Sequence, residues 1–388
     1  MISEKHFDFI VAGSGASGLS LALVLSRSAL KDSSILLIDR DQKTKNDHTW
    51  CFWADQLPVE EQVIFKKWKK IDFIGKAKRK RFDLHAYSYY MVRAIDYYNY
   101  VKSELRKKPN IKTLIGSIEN IVDGDQGATV TVDGITFDCN YCFDSRFDFT
   151  NFNQDTRKYH YLKQHFLGWE IETPTPTFDT SSAILFDFRT EQQNEMRFFY
   201  TLPINDKRAL IEYTLFSEKL LEKEEYIQAI ERYLKVTLGI PVYYLHNEES
   251  GVIPMTDHKF QRKTGNHIMA IGSAGGLVKP STGYAFLRIL KDSNAIVKSL
   301  ELNGHPFELP NTAHRYKIFD RVMLHVIQHH GSRCHSIFSD LFIKNNIQRI
   351  FGFLDETDNV FSNMKLMATL PLFLFLKSYV QTIIFKKT

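Results

Sequence analysis

A glutamate inside an apolar run is the first residue whose type and setting could do chemistry. Glu212 lies within Leu210-Ile211-Glu212-Tyr213-Thr214-Leu215. A charged carboxylate among apolar side chains is costly unless it is solvated, paired or protonated. Exposure on a wet strand face and an ion pair with Arg197 across a hairpin both fit the spacing. Burial would instead raise its pKa and leave a proton donor competent near neutral pH. Asp187, in Phe186-Asp187-Phe188, raises the same question.

Glycines at fixed spacing carry a second kind of chemistry. Phe7 to Ala12 is a short apolar strand, followed by Gly13-Ser14-Gly15-Ala16-Ser17-Gly18 and a helical stretch with Leu19, Ala22, Leu23 and Leu25. A second strand, Ile35-Leu36-Leu37-Ile38, ends on Asp39 and Arg40. This is a GxGxxG turn between strand and helix, with an acid about 20 residues on, the pattern that binds a dinucleotide. Backbone amides at the helix start take the pyrophosphate, and Asp39 is placed for a ribose. No second unit of this type follows, and no redox CxxC follows the first helix. One fingerprint at the extreme N-terminus with a long mixed continuation points to FAD. A second glycine-rich element, Gly272-Ser273-Ala274-Gly275-Gly276 and then Ser281-Thr282-Gly283-Tyr284, offers further amides to a phosphate or a flavin edge.

Two other groupings carry less. Cys139 and Cys142 form a CxxC inside a strand-like run, where alternation turns the thiols to opposite faces or splays them, and no second pair completes a zinc site. His325, His329, His330, Cys334 and His335 have helical spacing but lack a carboxylate and sit among Val322, Leu324, Val326 and Ile327. Helix packing accounts for them, and no metal is expected.

These residues need elements to hold them. At 388 residues the chain is long enough for two or three units at about 150 each. The expected fold is α/β (α+β): a Rossmann-type dinucleotide domain from 1–60, 88–150 and 260–310, with an inserted β-sheet substrate domain from 61–87 and 151–259. Residues 311–388 form C-terminal helices. Met196–Leu202 and Ala209–Phe216 read as a hairpin closed by Pro203-Ile204-Asn205-Asp206-Lys207. Thirty Phe and 18 Tyr must line a core or an apolar tunnel. A net charge of +5 does not suggest a nucleic-acid partner. Lys66–Arg81 is the one basic concentration, read as a solvated hairpin face or as attraction to anionic lipid. Leu366–Phe385 is apolar but broken by Pro371, Lys377 and Gln381, which suits a bilayer-surface helix with Lys386-Lys387 at the headgroups rather than a span. Met1-Ile2-Ser3-Glu4-Lys5 is too short and polar for a secretory signal, so the expected location is cytoplasmic, peripheral (monotopic) on the inner membrane.

Further blocks give a specific likeness. Asn46-Asp47-His48-Thr49-Trp50-Cys51-Phe52, Phe143-Asp144-Ser145-Arg146, His165–Glu172 with its Gly168-Trp169-Glu170, and Asp187-Phe188-Arg189 recur in order. With Phe198–Pro203, Leu210-Ile211-Glu212 and Pro280-Ser281-Thr282-Gly283-Tyr284, the chain resembles the bacterial FAD-dependent lycopene β-cyclases, with a hydroxylase-like flavoprotein architecture. Lys279 stands where that family has His, and Ser273 where most flavin oxidoreductases have Asp. The resemblance implies closure of the acyclic ends of lycopene to β-rings, giving γ- and then β-carotene without net redox change. It implies FAD in reduced form with NADPH as diffusible reductant, and acyclic carotenoids as partners. Glu212 is then the foremost acid or base, followed by Asp144, Asp187 and Glu170. The resemblance places Arg93 over the flavin, and an ordinary surface arginine is the alternative. A related flavin monooxygenase, a prenyl reductase or a non-catalytic flavin- or carotenoid-binding protein are the alternative functions.

Overall fold

The computed structural model describes residues 2, 4–148, 152 and 155–384. Phe385, Lys386 and Lys387 of the apolar tail, and Met1 and Ser3 of the N-terminus, lie outside them.

Three sheets organise the described residues. In the first, strands run in the order Ile111–Ile115, Ile35–Asp39, His6–Ala12, Ile135–Asp144, Ala128–Val132, Ile118–Asp123. The long Ile135–Asp144 strand pairs antiparallel with Ala128–Val132 along its first half and parallel with Ile268–Ala270 along its end. This brings the N-terminal strand and the late Ile268–Ala270 strand to opposite sides of one neighbour. Apolar runs such as Phe9-Ile10-Val11-Ala12 form central strands because both faces are covered. Helices Ala16–Leu25, Ala94–Leu105 and Phe286–Asn303 cover one of them.

The second sheet has the order Tyr244–Thr256, Tyr161–Glu172, Arg208–Ser217, Met196–Pro203, Ser182–Asp187, Lys70–Ile74, Arg79–Asp83. Met196–Pro203 and Arg208–Ser217 pair as the hairpin that the alternation predicts. Leu167, Ile211, Tyr213 and Leu215 alternate onto one face, where they pack with Tyr226, Ile230 and Tyr233 of helix Lys223–Arg232 and the turn after it. Leu162, Phe198, Leu210 and Phe216 face the other way, towards Trp53 and Tyr89 of a three-stranded sheet (Thr49–Ala54, Ser88–Arg93, Lys66–Trp68) and towards the C-terminal helices. Phe and Tyr therefore crowd this second face as a packed cluster, with Trp53 stacked on Phe351 at 4.4 Å and Phe73 on Phe342 at 4.8 Å.

The basic stretch is largely occupied in holding the fold. Arg79 and Arg81 both bind the buried carboxylate of Asp72. Lys80 donates to the carbonyls of Phe342, Ile343 and Asn345 at 2.8–3.0 Å, closing the end of helix Cys334–Lys344. Cys139 and Cys142 also depart from expectation: both are buried in the same apolar cluster, not on opposite faces.

Candidate active site

The glycine turn at the end of His6–Ala12 forms the first half of the site. Gly13 has φ +105°, and helix Ala16–Leu25 starts at Gly15 with no side-chain cap. The first amides of that helix are thus left for an outside acceptor, the arrangement that binds phosphate. A Cβ added at Gly15 would meet nothing within 4 Å, so this side of the turn is open to a ligand. At Gly18 a Cβ would overlap the Gly13 carbonyl, so the helix can close on its strand only with glycine there. Asp39 accepts from the Ser14 amide at 2.6 Å and from its hydroxyl at 3.0 Å, bracing the turn as well as facing it. Arg40 beside it is exposed.

The late glycine turn comes to the same place. Gly272, at φ +61°, lies against Ser17 of the first helix, and Ser273, Gly275 and Gly276 complete the loop. Gly283 stands apart from it, against Gln164 of the second sheet. Two amide-bearing turns and an open Gly15 make a cradle that fits the pyrophosphate of a dinucleotide.

The second half of the site is an acidic face on the second sheet. Glu212 lies between Tyr200 on one neighbouring strand and Gly168 on the other. Beyond Gly168, in register, comes Glu249. With no side chain at Gly168, Glu212 and Glu249 flank a gap: a Cβ there would lie 3.2 Å from Glu249 Cγ and 3.6 Å from Glu212 Cβ. Burial, reinforced by the Glu249 charge, pushes the Glu212 carboxyl up to about 8, against the pull of a hydrogen bond from the Thr214 hydroxyl. Burial also raises Glu249, to about 7, although the Thr49 hydroxyl donates to it at 2.7 Å. Cys51, Tyr89, Tyr200 and Tyr284 form the surrounding wall, and Trp53 meets Tyr284 edge-on at 4.9 Å. Glu212 is half-buried rather than freely exposed, and it does not pair with Arg197, which register sets opposite Leu215 on the other sheet face, bound to Glu195.

The remaining candidate acids separate. Glu170 shares the Glu212 face two residues along from Gly168 and is bound by Arg208 at 2.7 Å. Asp187 points to the opposite face, fully buried and held by Arg189 and by the Tyr233 hydroxyl at 2.8 Å. Asp144 lies in the first sheet, between the two glycine turns, bound to Arg146, while Ser145 packs against Gly13. That block belongs to the cradle side of the structure. Arg93 lies 4.0 Å over the Phe65 ring and binds Asp96 at 2.7 Å. It lines a cavity of about 10 Å³ shared with Thr49, Glu170 and Glu249.

Glu249 escaped the sequence reading. A signal was present: Glu248 and Glu249 are adjacent within the Tyr244–Thr256 strand, so their side chains take opposite faces. Glu248 takes the Trp169 side, accepting from its indole at 3.1 Å, which leaves the other side to Glu249.

A family model described as lycopene cyclase protein matches residues 8–379. The chain belongs to the lycopene cyclase family. Among its relatives, a lycopene beta-cyclase of Pantoea ananas is 25% identical over 73% of this chain and 72% of its own length. A chloroplastic neoxanthin synthase of Solanum lycopersicum is 26% identical over 74% of this chain, a match spanning 59% of the plant protein. Among solved structures, a flavoprotein/dehydrogenase from Cytophaga hutchinsonii superposes with a TM-score of 0.61 at 9% identity, covering 97% of this chain and 99% of that one. The fold of this lycopene cyclase family member is therefore that of the Rossmann-type, hydroxylase-like flavoproteins.

Proposed function

We propose that this chain is a lycopene β-cyclase that closes the acyclic ends of lycopene to β-rings. One observation carries the reading: the Glu212 carboxyl, set in an apolar strand beside Tyr200, lies on the sheet face whose aromatic cluster packs against the C-terminal helices. A hydrocarbon offers no hydrogen-bonding handle, so its recognition falls to apolar and aromatic surface. Glu212 is placed to give its proton to carbon 2 of a terminal double bond, leaving a tertiary cation at carbon 1. The double bond between carbons 5 and 6 then attacks, and loss of the carbon 6 proton completes the ring. Faces of Tyr200 and Tyr284 favour a cation, and the packing of Trp53 behind Tyr284 excludes the water that would trap it as an alcohol. Gly13, Ser14, Gly15, Ala16, Gly18 and Asp39, with Gly272–Gly276, would hold FAD, whose reduced, anionic ring system stabilises positive charge nearby when bound. NADPH from solution is the proposed reductant.

The test is pigment analysis of a lycopene-accumulating host expressing this chain beside Glu212→Gln. β-Carotene from the wild type and none from a flavin-retaining variant is the expected result. Persistent lycopene with folded, flavin-bound wild-type protein would overturn the reading, and an oxygenated or hydrogenated product would indicate a monooxygenase or reductase.

We further propose a monotopic membrane seat at the C-terminus. Val360–Met367 and the helix from Leu372 meet at a 116° bend, and among the described residues no single helix is long and apolar enough to cross a bilayer. Phe361 and Phe373 are 66% and 83% exposed, beside Met364, Leu372 and Leu376. Apolar side chains displayed on short bent helices suit insertion at the headgroup boundary. Phe361→Asp with Phe373→Asp should release the protein from lipid vesicles without changing its melting temperature; undiminished flotation would refute the seat.

A further inference from the structure

We propose that Glu212 and Glu249 work as a carboxyl pair holding one proton across Gly168, with Glu249 a positioning residue that acts on the reaction through Glu212. The proposal rests on the cyclase reading for its chemistry and on strand register for its geometry. The two glutamates sit on strands that flank a common neighbour, a backbone separation of about 10 Å. With no Cβ at Gly168 the space between the two side chains stays open; a Cβ there would press on Glu249 Cγ at 3.2 Å and touch Glu212 Cβ at 3.6 Å. Each carboxyl has a threonine hydroxyl of its own: Thr214, two residues along the same strand, for Glu212, and Thr49, from the three-stranded sheet, for Glu249.

The two ends of the pair differ in surroundings. Glu212 faces Tyr200 and the aromatic wall. Glu249 borders the small cavity rimmed by Arg93 and Glu170, which has room for about one water. In this pair Glu249, beside that cavity, carries the negative charge and Glu212 the proton. Other titratable groups face the pair. Glu170 is ion-paired with Arg208 but its charge still pushes the Glu249 carboxyl up, and Arg93 is held by Asp96. Cys51, Tyr89, Tyr200 and Tyr284 are all raised by burial and stay neutral.

The proton count closes over one ring. The O–H bond of Glu212 breaks as a C–H bond forms at carbon 2, and carbon 1 bonds to carbon 6. The C–H bond at carbon 6 then breaks, its electrons restore the double bond between carbons 5 and 6, and the proton returns to the pair. The pair ends with one proton, as it began, while the neighbouring Glu249 charge keeps that proton on Glu212. Gln at 249 removes this charge, so Glu212 ionises at lower pH.

The experiment is a pH profile of ring closure by the full-length, flavin-loaded protein on lycopene in vesicles, for wild type, Glu249→Gln and Glu249→Asp. The alkaline limb should move acidward by about one pH unit in Glu249→Gln, a tenfold change in proton affinity, and return towards wild type in Glu249→Asp. A uniform loss of rate with an unmoved midpoint would assign Glu249 a structural role and overturn the proposal. Infrared titration of the protonated carboxyl that disappears in Glu212→Gln gives the same midpoint without turnover. If the wild type forms no rings at any pH, the cyclase reading fails. The infrared midpoint then still decides the pair: moved by Glu249→Gln it stands, unmoved it falls.

Discussion

Holding Glu212 neutral should cost the fold stability, and replacing it should return that stability in a pH-dependent way. In an unfolded chain the carboxyl has its ordinary value of 4.5, and in the folded protein it is raised to about 8. At pH 7 it is therefore about 90% protonated when folded, against about 0.3% at 4.5, a gain of about 300-fold in the acid form. The sign follows from linkage. Between the two values the unfolded state has released a proton that the folded state keeps, so rising pH favours unfolding. The penalty is absent below about pH 4, grows between 4.5 and 8, and is complete above that, reaching about 5 kcal/mol at most. Gln keeps the shape and the Thr214 contact but cannot ionise. Glu212→Gln should thus unfold at higher urea than wild type at pH 8.5, by several kcal/mol, with the difference vanishing near pH 4.5. Paired urea titrations from pH 4.5 to 9, following intrinsic Trp fluorescence, measure it. A variant equal to or weaker than wild type at pH 8.5 would refute a neutral Glu212.

Two further outcomes follow from local geometry. Gly18→Ala drives a methyl group into the Gly13 carbonyl and Val11, so the purified variant should retain less than about a tenth of the wild-type flavin, read by absorbance; full flavin content would contradict the cradle. Lys80→Met removes the ammonium that closes three carbonyls at the end of Cys334–Lys344 and should lower stability by about 1–3 kcal/mol in thermal melts, with an unchanged melt as the contrary result.

The two halves of the site differ in how far they could be read beforehand. Strand, glycine turn, helix and acid in the cradle are contiguous, and each imposes a local requirement on backbone angle or close approach, so residue types alone disclose them. Glu212 could be singled out as an anomaly in an apolar strand, but its three possible fates could not be separated. Arg197 was a plausible partner by spacing. It is taken by Glu195, two residues away. Asp187 raises a weaker form of the Glu212 question because both interrupt apolar runs, yet strand alternation and the helix over that face give it Arg189 and Tyr233 as fixed partners. The basic stretch likewise reads as free charge in one dimension and is bound to Asp72 and a helix end in three.

By itself, then, the sequence determined the dinucleotide turn, the hairpin that carries Glu212 and the apolar character of the C-terminus, since each depends on contacts between near neighbours in the chain. Tertiary structure decided which acid is buried with which. Glu249 meets Glu212 only because the Tyr161–Glu172 strand, pairing with both neighbours, sets Gly168 between them. A one-residue slip in either register would turn one carboxyl to the opposite face. Register over ten paired residues is fixed by burial of a whole sheet face, and that is a property of the folded molecule.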